Sequence, residues 1–302
     1  MKILDWYNHQ GHQYEFSKTG HEIYLVGLDN KKPEWDIGGR PLRDNVILSS
    51  IEDGVRAEPD IVMWRRGSSY KWCKRMVKYG AKCIGVAQTT YLDYVVPNFV
   101  DILVWNSKDA MNKLYKNYNW CEHVYIPHGF DPNEFVNMKL ERKNKILSVF
   151  SLFKERGKIL GYDYWKDVSL RTGLCELWGH GNENISENMG SAKTFSELIN
   201  VYNSYKVYLN TSVESAMPRS RAEAMMCGTP LVTTPYYDIS NYIKHGVNGF
   251  IANNPYDMIK FSKNIIENKN VFLEMSEASR NTSIEFFNIS RYIDQWNSLL
   301  FT

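Results

Sequence analysis

One segment concentrates more chemistry than any other: Val207-Tyr-Leu-Asn-Thr-Ser-Val-Glu-Ser-Ala-Met-Pro-Arg-Ser-Arg-Ala-Glu-Ala-Met-Met-Cys-Gly-Thr-Pro-Leu-Val-Thr233. It reads as strand, loop, helix, glycine turn and strand. Pro218 suits the first turn of the helix, where a missing N–H costs nothing. The open N–H groups at that helix start make an anion site. Arg219 and Arg221 fall in the same first turn. Cations there oppose the helix dipole, so two of them imply an anion to meet. Glu223 lies one turn further in, Gly228 ends the helix and Pro230 blocks its continuation. The plainer alternative is a βαβ crossover whose first turn is merely solvated.

Other candidates lie along the chain. Arg156 and Lys158 flank Gly157 after an apolar run, and the alternative for them is a solvated loop. Gly179 and Gly181 bracket His180 after another run. Near the start, Trp6-Tyr-Asn-His9-Gln-Gly11-His12 reads as a strand followed by a loop in which Gly11 permits close backbone approach. His9 and His12 are either ligand contacts or ordinary polar loop residues. Gln88 ends the run that starts at Cys83; it can hydrogen-bond a hydroxyl or carbonyl but cannot titrate.

Composition removes whole classes of function. At 302 residues the chain has length for two domains, and 43% hydrophobic with 23% charged residues excludes disorder. A net charge of +2 is too balanced for a generic nucleic-acid binder. Five cysteines without CxxC spacing argue against a disulfide framework or a zinc site. No Asp-x-Asp pair offers metal ligands, and no Gly-x-Ser-x-Gly or P-loop occurs. Neither a cofactor nor a metal is therefore expected. The opening residues read as a strand rather than a signal peptide, and no run of about 18 apolar residues occurs, so the expected location is cytoplasmic. Aromatics reach 14%, which suits either flat ligands or amphipathic core edges.

The elements that must carry these residues alternate strand and helix. Apolar runs at Lys2–Trp6, Glu22–Val26, Ile61–Trp64, Cys83–Val86, Ile102–Trp105 and Val124–Ile126 are separated by amphipathic stretches such as Ser69–Tyr79 and Lys108–Tyr118. Ser107 is a fair N-cap for the second. The pattern pauses in the charged stretch Asn137–Lys145. A second series then runs through Ile146–Phe150, Cys175–Trp178, Val207–Leu209, Leu231–Thr233 and Gly249–Ile251, with helices between. Such alternation predicts two α/β halves with parallel, doubly wound sheets. Ligands in such sheets lie at the carboxyl ends of the strands, so a cleft between the halves is the expected site. We place the two domains at 1–130 and 131–287. The helical face Ile289, Tyr292, Ile293, Trp296, Leu299 and Leu300 predicts a closing helix, 288–302, that packs back on the first half.

The segment Glu223-Ala-Met-Met-Cys-Gly228-Thr-Pro230-Leu-Val resembles the signature of family-4 retaining glycosyltransferases, which have the GT-B fold of two Rossmann-like domains facing across a cleft. The resemblance extends to Ile126-Pro-His-Gly-Phe-Asp131-Pro-Asn-Glu-Phe135, similar to the family's interdomain segment, and to Ile146-Leu-Ser-Val-Phe-Ser-Leu-Phe-Lys-Glu-Arg156-Gly157, similar to the first strand of its C-terminal domain. It implies a metal-independent transfer of a sugar from a nucleotide diphosphate to a hydroxyl acceptor, by front-face substitution with retention. Glu223 would hold the ribose and Glu214 the donor sugar, with Ser215, Met217 and Gly179 lining the donor site. Arg156, Lys158, Arg219 and Arg221 would neutralise the diphosphate, and Gly11, His9, His12 and Gln88 would face the acceptor.

Three positions depart from the family pattern. Glu214 precedes Glu223 by nine positions where the family has eight, so strict alignment puts Ser215 there. Ser151 stands where the family has an Arg, and Gln88 where it often has a His. The departures keep open a non-catalytic nucleotide-sugar-binding subunit as the alternative.

The expected acceptor is a glycan or glycolipid. From Ile61 to Leu92 there is no acid, while Arg65, Arg66, Lys71, Lys74, Arg75, Lys78 and Lys82 are cations. Lys71, Lys74, Arg75 and Lys78 form one helical face edged by Trp72, Met76 and Tyr79. Such a face suits an anionic membrane surface, and less well a nucleic-acid backbone; a solvated helix face is the plain alternative.

Overall fold

The structure, a computed structural model, describes residues 1–65, 69–88 and 96–302. Arg66 and the last residues of the acid-free stretch lie outside these. The chain divides into two compact units, Met1–Gly129 with Ile289–Thr302, and Phe130–Asn288.

In unit 1 the order is β1 (Lys2–Trp6), α1 (Gln10–Ser17), β2 (Glu22–Val26), β3 (Val46–Leu48), α2 (Ile51–Arg56), β4 (Ile61–Trp64), α3 (Tyr70–Lys78), β5 (Lys82–Ala87), β6 (Ile102–Trp105), α4 (Lys108–Leu114) and β7 (Glu122–Tyr125). The strands form one parallel sheet ordered β3-β2-β1-β4-β5-β6-β7. All residues of β4 and β6 are buried, which is why they read as unbroken apolar runs rather than alternating ones. Ser107 caps α4 by accepting the Ala110 N–H at 3.1 Å.

The pair β3 and α2 has no counterpart in the sequence reading. A three-residue strand is too short to show a period. The helix did leave a signal: Ser50 accepts the Asp53 N–H at 3.2 Å, the Ser-x-x-Asp form of a capping box.

Unit 2 runs β8 (Lys143–Val149), α5 (Gly157–Leu160), α6 (Tyr162–Thr172), β9 (Cys175–Trp178), α7 (Phe195–Asn203), β10 (Tyr205–Asn210), α8 (Arg219–Met226), β11 (Leu231–Thr233), α9 (Ile239–Tyr242), β12 (Gly249–Ile251), α10 (Pro255–Glu267) and α11 (Lys269–Phe286). Its parallel sheet is ordered β12-β11-β10-β8-β9. Arg142 ties the amino edge of this sheet together. Its guanidinium donates to the carbonyls of Tyr202, Tyr205 and Cys227 and to Thr229 Oγ1, at 2.6–3.1 Å. Burial lowers its pKa to about 10, so it remains a cation at neutral pH.

The chain then returns to unit 1 as α12 (Ile289–Leu300). Trp296 meets Phe16 of α1 edge-on, with ring centroids 4.8 Å apart. Together with Tyr292 and Leu299 it joins the core under β1, β4 and β5. Trp296→Ala is expected to destabilise unit 1 by about 3–5 kcal/mol, read from urea unfolding against the parent.

Candidate active site

In unit 2 the chain leaves β8 for β9 on one side, whereas β10 pairs on the other side of β8. The loops that follow β8 and β10 therefore part at the carboxyl edge, and such a gap is where open parallel sheets bind ligands. Arg156, Lys158, Glu214, Ser215 and Arg219 all follow these two strands.

The loop after β8 is fixed by a residue that the sequence reading missed. Asn182, buried, donates to the carbonyls of Phe150 at 2.7 Å and Gly179 at 2.8 Å, and accepts the Phe153 N–H at 2.9 Å. It fastens the loop after β9 to the loop after β8. Gly179 is needed at this junction: its φ of +131° is disfavoured for side chains, and a Cβ there would run into the Phe150 carbonyl. Arg156 and Lys158 then stand exposed at the start of α5.

The loop after β10 is sewn to the end of α5. Thr211 Oγ1 donates to the Leu160 carbonyl at 2.8 Å, and the amides of Val213 and Glu214 donate to the Ile159 carbonyl at 2.9 and 3.0 Å. Glu214 is exposed, Ser215 half-buried and Met217 buried. The exposed carboxylate of Glu214 is thus carried by backbone bonded to the residue after Lys158.

Helix α8 starts at Arg219, with Pro218 as its N-cap just outside the first turn. Glu223 is 6% exposed. Its Oε2 accepts the Tyr202 hydroxyl at 2.8 Å, and its Oε1 lies 3.7 Å from Arg219. Burial, then the Glu223 charge, pushes the Tyr202 phenol well above its ordinary pKa, so it stays a donor. The Arg219 guanidinium lies over the Phe130 ring, 4.5 Å from its centroid, which orients it further.

Arg221 differs from the expectation that it faces a diphosphate directly. It is 1% exposed and turned inward onto Asn210, Ser212 and Thr234, because the helix places it on the sheet side.

Unit 1 places its candidates at its own carboxyl edge. The expected loop around Gly11 is instead helix: His9 is the N-cap of α1, and Gly11 and His12 are buried in its first turn, since the chain turns into helix three residues after β1. His9 remains exposed. Gln88, half-buried after β5, accepts from Asn8 Nδ2 at 3.3 Å. Between them, Asp5 on β1 binds Arg65 after β4 through two bonds of 2.7 and 2.8 Å, both side chains buried. Lys71, Lys74, Arg75 and Lys78 are exposed on α3, and Arg75 lies over Trp72 and Tyr79 at 5.6 and 5.9 Å. Among the described residues no group of three or more His, Cys, Asp or Glu could hold a metal ion, and no helix is long and apolar enough to cross a membrane.

Residues 171–268, which include α8 and both loops beside it, match the family described as Glycosyl transferases group 1. A similar protein of Haemophilus influenzae, described as an uncharacterized glycosyltransferase, is 26% identical across 79% of this chain and 69% of its own. Among solved structures, HepE of Anabaena in complex with UDP has a TM-score of 0.76 at 13% identity, covering 99% of both chains. A glycosyltransferase of Rickettsia africae has a TM-score of 0.71 at 15% identity, covering 99% of this chain and 97% of its own. TarM has a TM-score of 0.67 at 15% identity over 80% of this chain, and the chain spans 55% of TarM. The fold class is thus GT-B, with two parallel α/β sheets.

Asn182→Ala would leave two carbonyls and one N–H without the bonds described. It is expected to lower stability by about 2–4 kcal/mol, on the order of 1 kcal/mol for each bond, measured by chemical denaturation.

Proposed function

We propose that this glycosyltransferase binds a nucleotide-diphosphate sugar at the carboxyl edge of unit 2 and transfers the sugar, with retention, to a hydroxyl of a glycan or glycolipid. The observation that carries the proposal is the carboxylate of Glu223, held by Tyr202 inside the segment that matches the family. A carboxylate with one oxygen engaged by a phenol is oriented to accept ribose hydroxyl protons with the other. Arg156, Lys158 and Arg219, with the first N–H groups of α8, would balance the charge that grows on the leaving diphosphate. Glu214 would bond the hydroxyls of the donor sugar, beside Ser215 and Met217, and Gly179 would border the base.

In the reaction, the bond from the anomeric carbon to the diphosphate oxygen breaks with its electron pair leaving on the phosphate. The acceptor oxygen bonds the anomeric carbon on the same face, and its proton passes to the departing phosphate oxygen. This chain's residues bind, orient and neutralise; none need supply a nucleophile. UDP is the first nucleotide to test, because the HepE structure and that of a TarM variant contain it. By calorimetry, Glu223→Gln is expected to weaken UDP binding about tenfold or more. Full binding by the folded variant would refute the ribose assignment.

On the acceptor side, the exposed cations of α3 with Tyr79, 73% exposed, favour an anionic membrane carrying the acceptor. Replacing Lys71, Lys74, Arg75 and Lys78 with Gln should weaken binding to phosphatidylglycerol vesicles in low salt by about 1 kcal/mol for each charge. Unchanged sedimentation with the vesicles would rule this surface out.

A further inference from the structure

One buried charge in unit 2 has no task in the reading above. The guanidinium of Arg221 donates to Asn210 Oδ1 at 3.0 Å and to the Ser212 carbonyl and Thr234 Oγ1, each at 3.4 Å. All three acceptors are neutral, as is the buried Tyr242 phenol that also hydrogen-bonds Arg221. Arg65 and Arg219 each have a carboxylate within ion-pair distance, whereas among the described residues none stands so close to Arg221. Asp238 acts on the neighbouring Tyr242, whose phenol burial holds protonated, but it forms no ion pair with Arg221. Arg221 also lies in the first turn of α8, at the positive end of the helix. Burial, the lack of a counter-charge and the helix polarity all act against a cation at this point.

Hydrogen-bond satisfaction does not explain the residue either. Asn210 Oδ1 also accepts the Ser212 N–H at 3.2 Å, and the Ser212 carbonyl also accepts the Thr234 hydroxyl. Both oxygens would keep a partner if the guanidinium were removed, and the Tyr242 phenol would lose its hydrogen bond to Arg221. What would be lost is a positive charge bonded to the first residues of the loop that carries Glu214.

We propose that Arg221 is a positioning residue for the donor diphosphate, a buried cation that acts through the Ser212–Glu214 loop and is electrically balanced only when the diphosphate binds. The proposal rests on the functional reading above. It differs from direct contact, because the guanidinium is covered by its own loop and does not reach the donor.

Calorimetry on the full chain tests it, using whichever of UDP, GDP, ADP or TDP the parent binds, paired with the matching nucleoside. Arg221→Met should bind the nucleoside as the parent does, yet bind the diphosphate about tenfold or more weakly. Arg221→Lys, which keeps the charge, should stay within about threefold of the parent. Without ligand, the Met variant should melt at or above the parent's midpoint. Equal losses for nucleoside and diphosphate would mark a mere structural brace and overturn the proposal. So would parental affinity for the diphosphate in the Met variant, or a folded Lys variant as weak as Met. Should the Met variant not fold, Arg221→Gln takes its place under the same criteria. Glu223→Gln is expected to weaken nucleoside and diphosphate alike, so failure of the ribose assignment reads differently from failure of this one. A parent that binds none of the four nucleotides overturns both.

Discussion

The gap between the chain paths leaving β8 and β10 governs the rest of the candidate site. Parallel strands put all their outgoing loops at one edge, and the reversal of direction between these two keeps that edge from being closed by its own connections. Several polar devices in unit 2 serve the two loops bordering the gap. Asn182 holds the first, Thr211 and the Ile159 carbonyl hold the second, and Arg221 backs the second from the sheet side. The exposed charges at the tips of these loops are therefore anchored by buried, neutral hydrogen bonds. That arrangement favours binding, since groups fixed in advance lose little freedom when an anion arrives.

Glu223 and Arg221 show two ways of keeping a charge inside one short helix. Glu223 has a phenol on one oxygen and a guanidinium near the other, and that guanidinium is in turn seated on the Phe130 ring. Arg221, two residues away in sequence, has only neutral oxygens. The two charges, of opposite sign, thus stand on roughly opposite faces of α8.

Much of this was legible in the sequence, for reasons that differ by element. The buried strands announced themselves as apolar runs, and α12 through its single apolar face. The order Pro218, Arg219, Arg221, Glu223, Gly228 and Pro230 marked α8 because each type has a backbone or charge preference at its place. What a linear pattern could not convey was direction. Arg219 and Arg221 look equivalent as letters, yet two residues on a helix are about 200° apart, so Arg219 meets Glu223 and Phe130 while Arg221 turns to Asn210, Ser212 and Thr234. Asn182 was invisible for a related reason: its partners are three backbone groups, which carry no residue identity. Gly11 misled because a glycine after a strand suggests a loop, while the helix began at Gln10 and took the glycine into its first turn.

The last helix of the chain completes the first unit, and this sets an order of events during synthesis. Strands β1 to β7 emerge from the ribosome before α12, so the sheet face that Tyr292, Trp296 and Leu299 cover must wait until residues 130–288 have also been made. Unit 2 is continuous, from Phe130 to Asn288, and has all its own elements sooner. The half made first is thus the half finished last. In the interval a nascent chain carries an open apolar face, the kind of surface that chaperones shield.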